Sequence, residues 1–390
     1  MILKKQAWSF VIGGQPMFDE RPTVVITSNP LNHEGGVVAF YSQLLKHFEG
    51  KNYQLRHVPL GSRMEHFYSP FKKRLLYPIY YLHDLLSLTC LLMKDRRIRI
   101  VQVNPSLIPV PLIRDGLVVV LTRILRRKSV VMFHGWKEET VEKLRRSIPA
   151  RWMFRQVFGR CDLAIVLASR FRDELQEIMA SPRGVQVTTT TYDASEILPW
   201  PDRTGQPTRF VFLGRVSDLK GVSEILAAAR LLVERGVDYQ LLLIGHGDRE
   251  GVVEMYQARV AEYGLENYCH FAGRLTGVDK FQALAESDVY VFPSWTEGCP
   301  TSVLEALGAG LFVISTDVGA LRDVIHEGEN GRIVRCRDPL HLADVMEWAN
   351  GHIEEIRSRR PCIQQAAQQK YEVKVVCEQF QNIYNELSRD

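Results

Sequence analysis

Val289 to Gly310 reads VYVFPSWTEGCPTSVLEALGAG, and this stretch decides the fold. Val289 to Phe292 is a short, continuous apolar run, the pattern of a strand buried on both faces. Pro293 and the polar residues up to Pro300 break it. Thr301 to Ala309 then reads as a helix, with Pro300 suited to its first turn, where a missing N–H is no loss. A loop between a strand and a helix lies above the strand ends, and the helix's free N–H groups there form an anion site. Glu297 sits in the loop and Glu305 about two turns into the helix, with seven residues between them. Carboxylates beside an anion site suit sugar or ribose hydroxyls, because a carboxylate accepts two hydrogen bonds from a diol. On this string alone, two solvated surface glutamates remain the alternative.

The same alternation of apolar strands and amphipathic helices runs through the chain, as in doubly wound α/β folds. Strands are predicted at Thr23 to Thr27, Tyr53 to Pro59, Ile98 to Val103, Ser129 to His134, Leu163 to Leu167 and Val185 to Thr190. A second set is predicted at Arg209 to Leu213, Gln240 to Ile244, Tyr268 to Ala272, Val289 to Phe292, Phe312 to Ser315 and Gly331 to Val334. The polar Pro199 to Pro207 segment between them has linker composition. The expected organisation is two Rossmann-like domains, residues 1–198 and 208–370, facing a central cleft, with a tail helix over 371–390. A ligand then sits at the strand ends, between the domains.

The net charge of +4 over 390 residues hides an asymmetry. Met1 to Ser195 holds 29 Lys+Arg against 16 Asp+Glu, and the remainder holds 20 against 29. A basic first half suits an acidic partner such as anionic lipid or a phosphorylated substrate. Nucleic acid is the weakest option, since no zinc spacing, RNA-binding motif or helix-turn-helix pattern stands out. The apolar stretch Leu75 to Met93 reads as a buried or interfacial helix rather than a span, because Asp84 at its centre is costly in lipid. Phe67, Tyr68, Phe71, Tyr77, Tyr80 and Tyr81 beside Lys72-Lys73-Arg74 form an aromatic, basic edge suited to a membrane surface. Seven scattered cysteines without a CxxC pair fit free thiols in a reducing compartment. No signal-peptide pattern opens the chain, so the expected location is cytoplasmic, with peripheral attachment to the membrane's inner face.

Three further features bear on chemistry. Gly35-Gly36 precede a helix, which permits close backbone approach to a ligand. They are not part of a GxGxxG fingerprint, which argues against a dinucleotide cofactor. Gly214-Arg215 and Lys220 follow the first strand of the second half. A guanidinium and an ammonium converging there suit a diphosphate, one by forked bonds and one as a point charge. His134 ends a strand and is followed by Gly135, so it can point into the cleft and reach a sugar hydroxyl or a phosphate. The other histidines lack metal-ligand spacing.

At these residues the chain resembles the family-four glycosyltransferases of the GT-B fold. The shared pieces are FLGRVSDLKG (Phe212 to Gly221), LLLIGHG (Leu241 to Gly247), HFAGRL (His270 to Leu275), Asp288 to Gly310, and Asp317-Val318-Gly319. The resemblance implies a retaining transferase that moves a sugar from a nucleotide-diphosphate donor to a glycan or lipid-linked acceptor, in polysaccharide or lipopolysaccharide synthesis. It implies Glu297 near the donor sugar, Glu305 on the ribose, and Arg215 and Lys220 on the diphosphate. Arg274 and Leu275 would frame the base. Gly35, Gly36, Gly214, Gly298, Cys299, Pro300, Thr301 and Ser302 would line the donor, and His134 matches the family's strand-end histidine. No cofactor and no metal is implied, and the tail helix is expected to cross back to the first domain. Two departures are the Thr189 to Asp193 interdomain segment and Gly319-Ala320 in place of a double glycine. A nucleotide-sugar epimerase of the same fold, or a non-catalytic nucleotide-sugar-binding protein, is the competing reading.

Overall fold

The computed structural model describes residues 20–33, 35–60, 70–179 and 184–389, with backbone only for 70–76. Glu34, Phe67 and Tyr68 lie outside the described residues. The first sheet comprises β1 (Thr23–Ser28), β2 (Gln54–Pro59), β3 (Ile98–Val103), β4 (Lys128–Phe133), β5 (Leu163–Val166) and β6 (Val185–Val187). The second comprises β7 (Thr208–Leu213), β8 (Tyr239–Ile244), β9 (Cys269–Gly273), β10 (Val289–Phe292), β11 (Phe312–Thr316) and β12 (Gly331–Val334). Every strand pair is parallel, and the orders are β2-β1-β3-β4-β5-β6 and β12-β11-β10-β7-β8-β9. The architecture is α/β, two Rossmann-like doubly wound halves, as the sequence predicts.

Both orders reverse direction once. In the first sheet β3 lies on the opposite side of β1 from β2, and in the second β10 lies on the opposite side of β7 from β8. Loops leaving the strands on either side of such a reversal diverge and open a crevice at the C-terminal strand ends. The loops after β1 and β3, and after β7 and β10, are therefore where a ligand can enter. β10 itself is buried along its whole length, which is why it is an unbroken apolar run.

Helices cover both faces of the first sheet. In order they are α1 (Gly36–His47), α2 (Pro70–Lys94), α3 (Pro109–Ile124), α4 (Glu138–Arg146), α5 (Ile148–Val157) and α6 (Ser169–Met179). α2 packs on α3, α3 on α5, and α5 on α6. These crossovers run the other way along the sheet from the β1–β2 crossover, so right-handedness sets them on the face opposite α1. The α1 face is covered by the tail helix, Val373–Arg389, through the Phe380 and Phe40 rings and a Gln381 Nε2 bond to the Glu49 carbonyl at 2.8 Å. Among the described residues no helix is long and apolar enough to cross a membrane.

β6 is three residues long, half the expected length. Thr189 and Thr190, predicted to continue it, turn to Cys299 of the other domain instead. Thr190 Oγ1 donates to the Cys299 carbonyl at 3.1 Å and Thr191 Oγ1 to the Tyr371 carbonyl at 2.9 Å. Asp193 closes this crossing. Its buried carboxylate accepts from Ser195 N and Oγ, from Lys46 Nζ at 3.2 Å, and lies 2.9 Å from His47 Nε2. Burial alone would raise the Asp193 carboxyl, but the Ser195 and Lys46 bonds and nearby His47 outweigh it and hold the group at about 2.

A pH prediction follows for Asp193. The folded carboxyl titrates below its unfolded value of about 3.9, so its stabilisation is complete above that pH. It is lost as the pH falls from about 4 through about 2. Asp193→Asn is expected to cost about 2 kcal/mol at pH 7, and the wild-type and variant unfolding curves should converge across that acid window. An equal difference at pH 7 and at pH 2.5 in chemical unfolding would show that the charge is not the source.

Candidate active site

Two loops of the second domain are stapled together. The loop after β7 carries Gly214, Arg215 and Lys220 and ends at α7 (Val222–Glu234), which α8 (Val252–Glu262) and α9 (Gly277–Ala285) follow along the chain. The loop after β10 runs through Ser294 and Glu297 to α10 (Thr301–Gly308). Trp295 N donates to the Leu219 carbonyl at 2.9 Å, and the Trp295 indole donates to Glu224 Oε1 of α7 at 3.1 Å. This register brings Lys220 onto Glu297: the ammonium donates to Glu297 Oε1, which also accepts from Ser294 Oγ at 2.8 Å. Both side chains are largely buried, at 19% and 9% exposure. Two residues assigned from sequence to different parts of a donor therefore form one ion pair.

Arg215 is exposed, and no partner engages it among the described residues. An unpaired guanidinium at a strand-end crevice is ready to take an anion. Pro300 is the residue before the first turn of α10 rather than within it, a one-residue difference from the sequence reading. No side chain caps α10, so its first N–H groups remain available beside Thr301 and Ser302. Ser302 Oγ accepts from the Tyr290 hydroxyl at 2.9 Å.

Glu305 lies on α10 and accepts from Lys280 of an adjacent helix at 2.8 Å. Burial pushes its carboxyl up, and Lys280 opposes that shift. Lys280 escaped the sequence reading because a lysine in an amphipathic helix normally reads as solvated. Arg274 and Leu275 follow β9, Arg274 exposed and Leu275 half-buried. Gly35 adopts φ +143° just before α1, a conformation that favours glycine, and space around both Gly35 and Gly36 is open.

The strand ends of the two domains meet at Gly298. A Cβ there would stand 2.2 Å from the His134 carbonyl oxygen. Only a residue without a side chain lets these backbones approach so closely. Gly298 is itself held by Ala320, whose N–H donates to its carbonyl at 2.8 Å. Cys299 is buried beneath, against Thr189 and Thr190.

One ring nitrogen of His134 is turned inward. Nε2 does not point freely into the cleft but lies 3.1 Å from the Tyr41 hydroxyl and 3.2 Å from Asn104 Oδ1. Desolvation holds its pKa down at about 3, so the ring is neutral at pH 7. Asn104 directly follows β3 just as His134 directly follows β4, and the Asn104-Pro105 turn was the signal that could have marked it. Among the described residues no group of three or more His, Cys, Asp or Glu side chains is arranged to hold a metal ion.

Two parallel six-stranded α/β domains meeting at their C-terminal strand ends define the GT-B class, and solved structures agree. HepE (Alr3699) of Anabaena in complex with UDP superposes with a TM-score of 0.71 at 14% identity, covering 94% of this chain and all of that one. Residues 207–349 match the family described as Glycosyl transferases group 1. Phosphatidyl-myo-inositol mannosyltransferase of Mycobacterium leprae is 30% identical over 226 residues, 57% of this chain and 58% of that protein. The amylovoran biosynthesis glycosyltransferase AmsK of Erwinia amylovora is 23% identical over 234 residues, 57% of this chain and 55% of that protein. The alignments span less than two thirds of either relative.

Proposed function

We propose that the protein is a retaining glycosyltransferase that takes a sugar from a nucleoside-diphosphate donor. The observation that carries this reading is the paired loop after β7 and β10, with the Lys220–Glu297 pair, unpaired Arg215 and an uncapped helix start. The departing diphosphate develops charge as the glycosidic bond breaks. Arg215, Lys220 and the α10 N-terminus supply fixed positive charge where that happens. Glu297 is engaged by Lys220 and Ser294, which weakens it as a nucleophile and favours same-face displacement over a glycosyl-enzyme intermediate. Relatives at work in glycolipid and exopolysaccharide synthesis support a glycan or lipid-linked acceptor. Incubation with UDP-, GDP- and ADP-sugars and a bacterial lipid extract tests the reading. Nucleoside diphosphate should appear together with a glycosylated lipid of retained anomeric configuration, and also in EDTA. Release without a glycosylated product would point to the epimerase or binding-protein alternatives.

The carboxylates divide the labour in this reading. Glu305→Ala should raise the donor KM about tenfold with little change in kcat, since it touches only the nucleoside, while Glu297→Ala should lower kcat. Equal and small effects in steady-state kinetics would return both residues to the solvated class.

The acceptor side suits an anionic membrane surface. α2 exposes Ile79, Leu82 and Leu86, α3 exposes Ile113 and Leu117, and α5 exposes Trp152 at 61%. The i, i+3, i+7 spacing on α2 is the stripe a helix normally buries, and α2, α3 and α5 lie side by side. Exposed Lys94, Arg96, Arg99 and Arg126 flank the lower ends of these helices. Cations beside an apolar helical face are what holds a helix in an anionic lipid interface, at about 1 kcal/mol per cation. The protein should float with phosphatidylglycerol vesicles. Neutralising Lys72, Lys73 and Arg74 should weaken this at low salt, and Leu82→Gln with Ile113→Gln should abolish it at any salt. Wild-type protein remaining unbound at low salt would remove the membrane from the account and leave the donor site intact.

A further inference from the structure

A chain of buried polar groups runs beneath the first domain's strand ends. Gln102 on β3 has no exposed surface, yet it is polar. Such a group is costly unless each of its atoms is bonded. Gln102 Oε1 accepts from the Tyr384 hydroxyl of the tail helix at 2.7 Å, and its Nε2 donates to the Tyr41 oxygen at 2.6 Å. Tyr41 in turn spends its one hydrogen on Asn104 Oδ1. The Asn104 amide cannot turn over, because its Nδ2 donates to the Thr27 carbonyl at 2.7 Å.

His134 Nε2 faces the end of this chain. Both groups within reach of it, Asn104 Oδ1 and the Tyr41 oxygen, are acceptors there. Nε2 must therefore carry the hydrogen, and Nδ1 keeps a lone pair. The other tautomer would set an Nε2 lone pair against Asn104 Oδ1 at 3.2 Å. Nδ1 has no partner among the described residues.

We propose that Asn104 is a positioning residue that locks His134 as the Nε2–H tautomer, so that His134 meets the substrate as a hydrogen-bond acceptor. An acceptor recognises a sugar hydroxyl, which can donate, and not a phosphate oxygen, which cannot. This decides between the two ligands open to a strand-end histidine, and it rests on the reading of the cleft as a sugar-transfer site. Burial, which keeps the ring neutral, works in the same direction.

Two measurements test the proposal, and the first needs no substrate. Nitrogen-15 spectra of histidine-labelled protein, with the His134 signal assigned by its loss in His134→Gln, should show Nε2 protonated and Nδ1 bare. Asn104→Leu should mix the tautomers. Tyr384→Phe removes the far end of the chain but keeps Asn104, so it should leave the His134 spectrum unchanged. A bare Nε2 in the wild type, or equal scrambling in Tyr384→Phe and Asn104→Leu, overturns the proposal.

The second measurement compares UDP with UDP-glucose, or the corresponding GDP or ADP pair that the protein binds. His134→Ala should weaken binding of the nucleotide sugar about three- to tenfold and leave the bare nucleotide within twofold. An equal loss for both would place His134 on phosphate and overturn the acceptor role. If no nucleotide of the panel binds, the donor reading itself fails, while the spectra still decide the tautomer.

Discussion

Arg215→Ala is expected to leave the unfolding temperature unchanged while reducing turnover by about thirty- to several-thousandfold, the equivalent of about 2–5 kcal/mol. The guanidinium is exposed and has no partner among the described residues, so the unliganded fold loses nothing with it. On the proposed function its value lies in the complex, where it would meet a buried diphosphate. Lys220→Ala should behave differently although the two cations share one loop. Lys220 already neutralises Glu297, which is 9% exposed, so its removal leaves a buried carboxylate short of a donor. That variant should lose about 1–3 kcal/mol of stability as well as turnover. Paired thermal melts and steady-state rates separate the two patterns. Unchanged turnover in both variants would remove the diphosphate from this loop.

Gly298→Ala carries the second large effect. The new methyl would stand 2.2 Å from the His134 carbonyl oxygen, against a normal limit above 3.0 Å, and the obstacle is backbone that cannot rotate away. The two domains must part by roughly 1 Å at the point where the proposed function brings donor and acceptor together, a displacement able to cost about a hundredfold in rate. Each domain keeps its own core, so melting should hardly move. Nucleotide binding, which the proposed function assigns mainly to the loops of the second domain, should stay within twofold. Turnover within twofold of wild type would mean that the contact between Gly298 and His134 is not part of the working geometry.

The strands were legible because parallel strands buried on both faces are unbroken apolar runs, and β10 is the clearest example. Glu297, Glu305, Arg215 and Lys220 could be singled out because each follows the end of such a run. What the spacing could not convey was pairing between distant loops. Nothing local to Lys220 announces that Trp295 and Ser294 will fold the next loop onto it, 77 residues away in the chain. Lys280 and Asn104 were missed for the same reason, since each acquires its role from a partner on another element. β6 was read too long because its threonines have strand propensity, and the bonds of Thr189 and Thr190 to Cys299 override it.

The most direct test of the donor site is a thermal titration of wild-type protein and Arg215→Ala with UDP, GDP and ADP. A ligand that binds only the folded state raises the melting temperature in proportion to its affinity, by about 2.7 kcal/mol of stability at a hundred times its Kd. One of the three nucleotides should stabilise the wild type in a saturable way, and Arg215→Ala, equally stable alone, should need far more of it for the same shift. No stabilisation of the wild type by any of the three, or identical titrations for the two proteins, would contradict the assignment of this cleft to a nucleoside-diphosphate sugar.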